Sequence, residues 1–283
     1  MADILKDALL DTLKLIPLLF ISYLLMEYVE NRMDKANEKI TENKFSVVLA
    51  SLLGAIPQCG FSASASGFYA GGLISLGTLI AVYLSSSDEM LPVLISEGAS
   101  FEIIAKILLI KIASGIIWGY TVDFIIKLQK RKKQNSHEIH GLCENEHCHC
   151  HEKNIFFPAM IHTVNIGIFI AAINIVLNLI LNYVGIETLS SLPLTKPFIS
   201  ETVFPLIGLI PNCASSVFIT ELYISGVIGA PAMISGLLAN SGVGLLVLFK
   251  QNKELKENII ITVSLYCISA AIGFILEILG LTL

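Results

Sequence analysis

Charge is scarce in this chain. Of its 283 residues, 14% are charged and 54% are hydrophobic, whereas soluble domains usually carry about 25% charged residues. A soluble core cannot bury so much apolar surface, and segments such as 8–29 lack the polar face that a soluble helix bundle needs. The composition therefore predicts an all-α integral membrane protein, with the lipid bilayer as a partner.

Several sequence features that would indicate other classes of protein are missing. The N-terminus lacks the basic region and short apolar core of a cleaved signal peptide, so we expect the first helix to be retained. No GxxxxGK[ST] motif is present, which argues against ATP hydrolysis by the chain itself. The 6 cysteines lack the spacing of a disulfide scaffold, which favours metal chemistry or inert buried thiols. We expect no prosthetic group and no nucleic-acid partner.

Eight apolar stretches are long enough to span a bilayer, whose ~30 Å core needs about 20 helical residues. The second and third stretch of each half are interrupted by Pro, Gly, Ser and other polar residues. The stretches cover about 8–29, 45–70, 73–96, 101–127, 157–184, 199–224, 227–249 and 258–281. We predict an N-terminal transmembrane repeat at 1–130, a His/Cys-rich linker at 131–154 and a C-terminal transmembrane repeat at 155–283.

Basic residues indicate how the chain is oriented. Twelve of the 18 Lys and Arg residues lie in three clusters, at 31–44, 127–133 and 250–256. The positive-inside rule places these clusters in the cytoplasm, so the linker is predicted to be cytoplasmic and both termini to lie outside a multi-pass cell-membrane protein. Each half must then cross an odd number of times, by five crossings or by three crossings and a re-entrant hairpin.

A polar string recurs in the chain. GAIPQCGFS at 54–62 matches GLIPNCASS at 208–216, 154 positions later, and 14 of the 41 positions from 54 to 94 are identical to their counterparts. Halves of opposite orientation are typical of secondary transporters, whose substrate sites lie on discontinuous helices near the midplane. We therefore predict two inverted-topology repeats of about five transmembrane segments each, with broken or re-entrant helices at the centre.

The two proline strings are the first candidate site. Each proline leaves a carbonyl without its helical partner, and the amide and sulfur groups beside it can bind harder and softer ions respectively. Free N–H groups of the following half-helices could instead hold an anion. A tightly packed helix pair with buried thiols is the alternative. The candidate ligands are Gln58, Cys59, Ser62, Asn212, Cys213 and Ser216.

A second polar interruption follows each proline string. It reads SSSDEM at 85–90 and ANSGVG at 239–244, and carboxylates within an apolar segment suggest cation binding or proton exchange. A short solvated loop is the alternative. The candidate ligands are Ser87, Asp88, Glu89 and Asn240, with Glu221 directed into the cavity. Asp88, Glu89 and Lys111 are the candidate coupling residues, because Lys111 could pair with either acid.

The linker is dense in metal ligands. Residues 137–151 read HEIHGLCENEHCHCH, and thiolate and imidazole groups suit Zn, Cu and Ni. Because the segment is too short and polar to form its own core, we expect a flexible collector or sensor that can bind Zn or a similar ion. Its candidate ligands are His137, His140, Cys143, His147, Cys148, His149, Cys150 and His151.

The whole chain resembles the ten-transmembrane heavy-metal exporter family, whose members are also called arsenic efflux-like or manganese transporter proteins. The resemblance rests on IPQCGFSAS, IPNCASS, LSSSDEMLP and CENEHCHCH. It implies metal or metalloid export without fixing the ion. The carboxylates and amides favour Mn²⁺ or a similar divalent cation, and the cysteines favour arsenite.

We therefore predict a non-enzymatic secondary exporter of Mn²⁺ or a similar ion, with protons as the default coupling ion. An exporter of arsenite, an organoarsenical or an organic anion is the alternative within transport. The alternatives of another class are a metal-sensing membrane receptor and an intramembrane enzyme. The enzyme would use the serines near Cys59, with His162 as the base; these are Ser62, Ser64 and Ser66. Homodimer formation is left open.

Overall fold

The computed structural model describes residues 16–17, 20–21, 23–24, 45–58, 60–87, 89–130, 156–184 and 198–281. Every regular element in these ranges is a helix, so the prediction of an all-α protein is confirmed for this part of the chain. The linker at 131–154 lies outside the described residues, and so do Cys59 and Asp88.

The helices are numbered here in chain order. The first half contains α1 (Ser46–Gly54), α2 (Gly60–Ala70), α3 (Leu76–Ser85), α4 (Met90–Ser96) and α5 (Phe101–Lys130). The second half contains α6 (Phe156–Val184), α7 (Ser200–Gly208), α8 (Cys213–Ile224), α9 (Ala230–Ala239), α10 (Gly244–Gln251) and α11 (Leu255–Ile278).

Helix bounds recur at the spacing of the sequence repeat. α1 and α7 begin and end 154 positions apart, and so do α3 and α9; α4 and α10 begin at that spacing, as do α5 and α11. Local geometry follows the same spacing: Gly72 and Gly226 both have positive φ, of 73° and 70°. The two sequences thus form the same series of local structures, although most of their residues differ.

Packing between helices follows the repeat as well. In each half the third helix contacts the first and the fifth: α3 packs on α1 and α5, and α9 packs on α7 and α11. Between the halves, α2 packs on α10 and α8 packs on α4, while α3 contacts α9. Exchanging each helix of one half for its counterpart leaves this pattern unchanged.

Side-chain contacts show how α1 and α2 run. Ser46 Oγ lies 3.3 Å from Thr78 Oγ1 near the start of α3, whereas a Cβ added at Gly54 would meet Val82 and Ser85 near its end. α1 therefore runs alongside α3. Because α2 leads back through a short loop to the start of α3, α1 and α2 form a helical hairpin whose turn contains Pro57.

One end of the molecule gathers several chain segments, which we call the basic end. Ser75 Oγ donates to Asp123 Oδ2 at 2.8 Å, which joins the start of α3 to the last turns of α5. Tyr69 Oη donates to Glu257 Oε1 at 2.7 Å, which joins the end of α2 to the start of α11. The lysines at 127, 250, 253 and 256 lie on these segments.

The opposite end, which we call the far end, holds residues 97–103 and 198–201. α5 has 30 residues and so measures about 45 Å, which puts its start far from the basic end. The rings of Phe198 and Phe274 stack there with centroids 6.0 Å apart, next to the last turns of α11.

Apolar side chains cover much of the outside. Within the described ranges, three stretches are helical, long and apolar enough to cross a membrane: Leu76–Ser96, Ala230–Gln251 and Leu255–Ile278. On the last of these, Ile259, Ile260 and Val263 are exposed while Ser269 is fully buried. An apolar outside with small and polar groups inside is the arrangement expected of a protein surrounded by lipid.

Candidate functional site

Two non-helical stretches interrupt the long apolar segments of the core. Residues 86–89 separate α3 from α4, and residues 240–243 separate α9 from α10. Helix ends leave backbone N–H and C=O groups without intrahelical partners, and in an apolar environment such groups need protein, water or an ion. The interruptions are therefore the natural place to look for a polar site.

The interruption after α9 holds two unpartnered polar atoms. Asn240 and Ser241 are 2% and 1% exposed, and the Asn240 Oδ1 atom accepts from Gly242 N at 2.8 Å. Asn240 Nδ2 and Ser241 Oγ have no hydrogen-bond partner within the described ranges. Because buried polar atoms are nearly always hydrogen-bonded, these two are suited to meet a water or a ligand.

The corresponding interruption after α3 is also buried. Ser87 is 2% exposed, and its hydroxyl donates to Ser85 O at 3.3 Å. Glu89 is half-buried at the residue before α4. Asp88 lies outside the described residues, so its predicted role as a ligand or proton carrier stays a prediction.

A contact between the halves lies beside these interruptions. A Cβ added at Gly244, the first residue of α10, would stand 2.9 Å from both Ser62 Cβ and Tyr83 Cε1. Ser66 Oγ lies 2.8 Å from Tyr83 Oη and donates to Gly244 O at 2.8 Å. The structure thus brings Ser62, a predicted ligand, against the start of the other half's broken segment.

The second proline string begins a helix with an asparagine cap. Asn212 precedes α8, and its Oδ1 atom accepts from Ala214 N at 3.2 Å, which is the usual role of an N-cap side chain. Ser215 Oγ donates to Asn212 O at 2.7 Å, and Asn212 itself is buried. The amide oxygen that the sequence suggested as an ion ligand therefore has a structural role as well.

Other predicted residues occupy different environments. Ser216 is 2% exposed on α8, whereas Gln58 is only half-buried and Glu221 is exposed. The structure therefore does not bring Glu221 together with the buried candidates. Cys213 begins α8, but its side chain is outside the described part of the structure, as is all of Cys59.

Lys111 is a buried lysine within the core. It lies on α5, is 1% exposed, and its Nζ atom donates to Leu237 O at 2.5 Å. Leu237 lies in the last turn of α9, where unpaired carbonyls concentrate partial negative charge. Lys111 thus links the first half to the helix end just before Asn240.

No three His, Cys, Asp or Glu side chains converge on a common point among the residues that the structure describes. The predicted linker ligands from 137 to 151 are outside those residues. The oxygen atoms in the described core come mainly from serine and asparagine, which suit hard cations in combination with a carboxylate.

Sequence reasoning missed one buried acid. Glu201 on α7 is 2% exposed, and its Oε2 atom has no hydrogen-bond partner in the described ranges. Position by position comparison of the repeats could have revealed it, because the counterpart of Glu201 is Val47. The Ser66–Tyr83 contact was missed too, since no local pattern marks a contact between separate helices.

Comparison with curated proteins and with solved structures gave no significant match. A family model described as "Putative, 10TM heavy-metal exporter" matches residues 2–184. This range contains IPQCGFSAS, LSSSDEMLP and the linker but ends before IPNCASS, so the match is shorter than the resemblance suggested. It covers well over half of the chain, and the chain therefore belongs to this family of ten-transmembrane heavy-metal exporters.

Proposed function

We propose that the protein is a secondary transporter that exports Mn²⁺ or a similar divalent cation through a site between two inverted repeats. The observation that carries this proposal is the exchange of contacts between the halves, in which α2 packs on α10 and α8 packs on α4. Each half thus supplies a helix that covers the broken segment of the other. Transporters with inverted repeats bind substrate at such a junction.

The contacts at the two ends of the molecule support opposite orientations for the halves. α5 ends at the basic end, whereas its counterpart α11 begins there, as the bond from Tyr69 to Glu257 indicates. By the positive-inside rule the basic end is cytoplasmic. Both termini are then outside, and the linker that follows α5 is cytoplasmic.

The arrangement of helices supports five membrane segments in each half, of which three cross the membrane and two form a re-entrant hairpin, so the two halves together have ten. The start of α1 and the end of α2 both lie near the basic end, so the hairpin would enter and leave the membrane on the same side. α3 with α4 forms a broken span, because Leu76–Ser96 is long and apolar enough to cross as a unit. In the second half, α7 with α8 would enter from the opposite face, and Ala230–Gln251 would be the broken span.

The chemistry of the core favours a divalent cation over a bare anion. Ser62, Ser87 and Ser216 are buried hydroxyls, and Ser241 Oγ lacks a partner in the described part of the chain. Together with Asp88 and Glu89 they would provide the oxygen ligands that Mn²⁺ prefers. Cys59 and Cys213 would add sulfur, which broadens the range toward softer ions and makes arsenite the second candidate.

Protons are the proposed coupling ions, with Asp88, Glu89 and Lys111 as carriers. The bond from Lys111 Nζ to Leu237 O ties α5 to the end of α9, next to the second interruption. The linker would bind Zn or a similar ion and deliver metal from the cytoplasm.

A flux assay in proteoliposomes tests the proposal. Purified protein is reconstituted, and uptake of Mn²⁺, Zn²⁺, Co²⁺, Ni²⁺, Cu⁺ and arsenite is compared with empty liposomes. The variants are Asp88→Asn with Glu89→Gln, and separately Cys59→Ser with Cys213→Ser. Glu97→Gln, an exposed acid at the end of α4, is the matched control.

We expect Mn²⁺ flux that the amide variant abolishes and the serine variant largely retains. Arsenite flux that depends on the cysteines would replace Mn²⁺ by the metalloid as the substrate. Absence of flux for every ion, with metal still bound, would favour the sensor and contradict export. Equal fluxes in wild type and both variants would show that these residues do not form the site.

A further inference from the structure

The carboxylate of Glu201 is buried without full hydrogen bonding. It lies in the first turn of α7 and is 2% exposed. Ser200 Oγ donates to its Oε1 atom at 3.1 Å, while Oε2 has no partner in the residues that are described. A buried ionised carboxylate is costly unless its charge is compensated, and in a membrane-embedded segment it is a functional candidate by default.

Two serines from other helices converge on the same region. A Cβ added at Gly273 would stand 2.6 Å from Ser235 Cβ and 3.2 Å from both Glu201 Cβ and Cγ. Ser269 lies one helical turn before Gly273 on α11 and is fully buried. Its hydroxyl also lacks a partner in the described ranges. Glu201 of α7 and Ser235 of α9 thus pack around Gly273 of α11, one turn from the Ser269 hydroxyl, while Ser235 Oγ donates to Ala232 O at 2.8 Å.

The first half shows that packing does not require these polar groups. The counterparts of Glu201, Ser235 and Ser269 are Val47, Ala81 and Gly115. They hold the same positions, since a Cβ added at Gly119, the counterpart of Gly273, would meet Val47 and Ala81. In that half Ser51 Oγ would stand 2.9 Å from a Cβ at Gly115, but this hydroxyl donates to Val47 O at 3.0 Å. The carboxylate of Glu201 has no counterpart there, so packing of the three helices does not explain it.

Neighbouring ionisable groups offer no described positive charge to the Glu201 carboxylate. α9 has no titratable side chain. α11 carries Tyr266, whose Oη donates to Thr202 O at 3.2 Å, the exposed Cys267 and the half-buried Glu277, while its Lys256 and Glu257 lie at the basic end. Lys111 of α5 reaches α9, where its Nζ donates to Leu237 O. α8 contributes the exposed Glu221 and the half-buried Tyr223. A mobile cation would neutralise the carboxylate without a charged partner from the described part of the chain.

We infer that Glu201, Ser235 and Ser269 form a binding site for a monovalent cation, H⁺ or Na⁺, that drives export. The donor set contains only oxygen, which suits hard cations and not the softer metals. The single negative charge of the Glu201 carboxylate would be balanced by the single positive charge of the bound cation. A proton would make the carboxyl group neutral, and Na⁺ would accept Oε2 and the hydroxyl oxygens as ligands.

This inference rests on the proposed function for its role in coupling. α7 begins at the far end, which the proposed orientation makes the outer side, and the site lies one turn inside it. An ion that moves inward in exchange for exported metal would meet Glu201 before it meets the central interruptions. Binding of the cation itself can be tested independently of any metal flux.

The binding test uses the full-length protein in detergent without heavy metal. Thermal unfolding is followed in sodium chloride and in choline chloride over a range of pH. We expect either a saturable rise in unfolding temperature with Na⁺, or a rise with falling pH in the absence of Na⁺. Glu201→Gln and Glu201→Val should abolish the cation-dependent rise, Glu201→Asp should retain part of it, and Glu97→Gln should retain all of it.

The coupling test uses proteoliposomes with the same variants. Glu201→Gln should retain metal exchange driven by the metal gradient but lose its acceleration by an H⁺ or Na⁺ gradient. The inference is overturned if the cation-dependent rise in unfolding temperature persists in Glu201→Gln. It is also overturned if the wild type shows no such rise with either H⁺ or Na⁺. If the rise is lost in Glu201→Gln while no metal moves in the wild type, the site is upheld and the exporter function is refuted.

Discussion

Replacement of Lys111 by methionine is the most informative single change in the core. Methionine preserves much of the length and apolar stem of lysine but removes the charge and the donor. Lys111 is 1% exposed, and its Nζ atom donates to Leu237 O at 2.5 Å. The Leu237 carbonyl would lose this charged partner at the end of α9, where the helix provides few others.

The expected loss of stability can be worked out from the hydrogen bond that Lys111→Met removes. A hydrogen bond to a charged group contributes about 1.5–3 kcal/mol. At about 2–4 °C per kcal/mol for a chain of this size class, the unfolding temperature of Lys111→Met should fall by about 3–12 °C. Because the lost bond joins the two halves, we also expect metal flux to fall to the level of empty liposomes.

The same helix offers a matched control. Lys106 forms an ion pair with Glu102 at 2.7 Å, but the two side chains are 50% and 75% exposed. Water and salt screen exposed pairs so that they add little stability, and Lys106→Met should therefore unfold at nearly the same temperature as the wild type. Fluorescence of Trp118, the 1 tryptophan of the chain, reports unfolding from the same helix.

Equal unfolding temperatures and equal fluxes for the two methionine variants would refute this reasoning. Such a result would mean that Lys111 does not stabilise the end of α9 and that the contact between α5 and α9 is dispensable. Loss of flux without loss of stability would instead assign Lys111 to transport alone, contrary to the expected drop in unfolding temperature.

Three further changes test other parts of the account. Asp123→Asn weakens the cap of α3, where the carboxylate accepts from Gly77 N at 2.9 Å and from Ser75 Oγ at 2.8 Å. Thermal unfolding should show that the variant loses about 1 kcal/mol of stability. Unchanged stability would contradict this role of Asp123. Gly244→Ala places a Cβ 2.9 Å from Ser62 Cβ and should lower the stability to thermal unfolding by about 1–3 kcal/mol. In Gly167→Ala the nearest atom, Ile16 Cγ1, is 3.9 Å from the added Cβ, so the stability should hardly change. Deletion of 137–151 should reduce the metal bound per chain, measured by elemental analysis, with little change in unfolding temperature; unchanged metal content would exclude the linker as a metal site.

The sequence was sufficient for the class of fold and for the positions of its interruptions. Pro57 and Pro211 lie in the turns between helices, and the polar strings at 85–90 and 239–244 contain the ends of α3 and α9. These features depend on local chemistry, because proline and short polar runs disfavour a continuous apolar helix. The repeat was visible for the same reason, since identical local signals recur at one spacing.

The direction of each half-helix could not be predicted. The apolar stretch at 45–70 is long enough to cross a bilayer, yet α1 and α2 within it form a hairpin. That difference depends on contacts such as Gly54 with Ser85 and Ser46 with Thr78, which involve distant parts of the chain. Periodicity reports which side chains face the core but not which way a segment returns.

The burial of several candidate residues follows from the sequence, whereas their role in a site stays a prediction. Ser62, Ser87 and Asn240 are buried near the interruptions as polar residues in an apolar segment should be. Glu201 was missed because a single acid near the start of an apolar stretch resembles an ordinary solvated helix end. Only its burial, and its replacement by Val47 in the other half, distinguish it.

The most direct test of the account is the sidedness of two equivalent positions. Ser100 and Glu254 are 154 positions apart, and both are exposed next to the starts of α5 and α11. Single cysteines at these positions, in a background with the native cysteines replaced by serine, are labelled in intact cells with a membrane-impermeant maleimide. Inverted repeats predict that the cysteine at position 100 is labelled from outside and the one at position 254 only after permeabilisation. Labelling of both from the same face would contradict the inverted repeats and, with them, the proposed transport site.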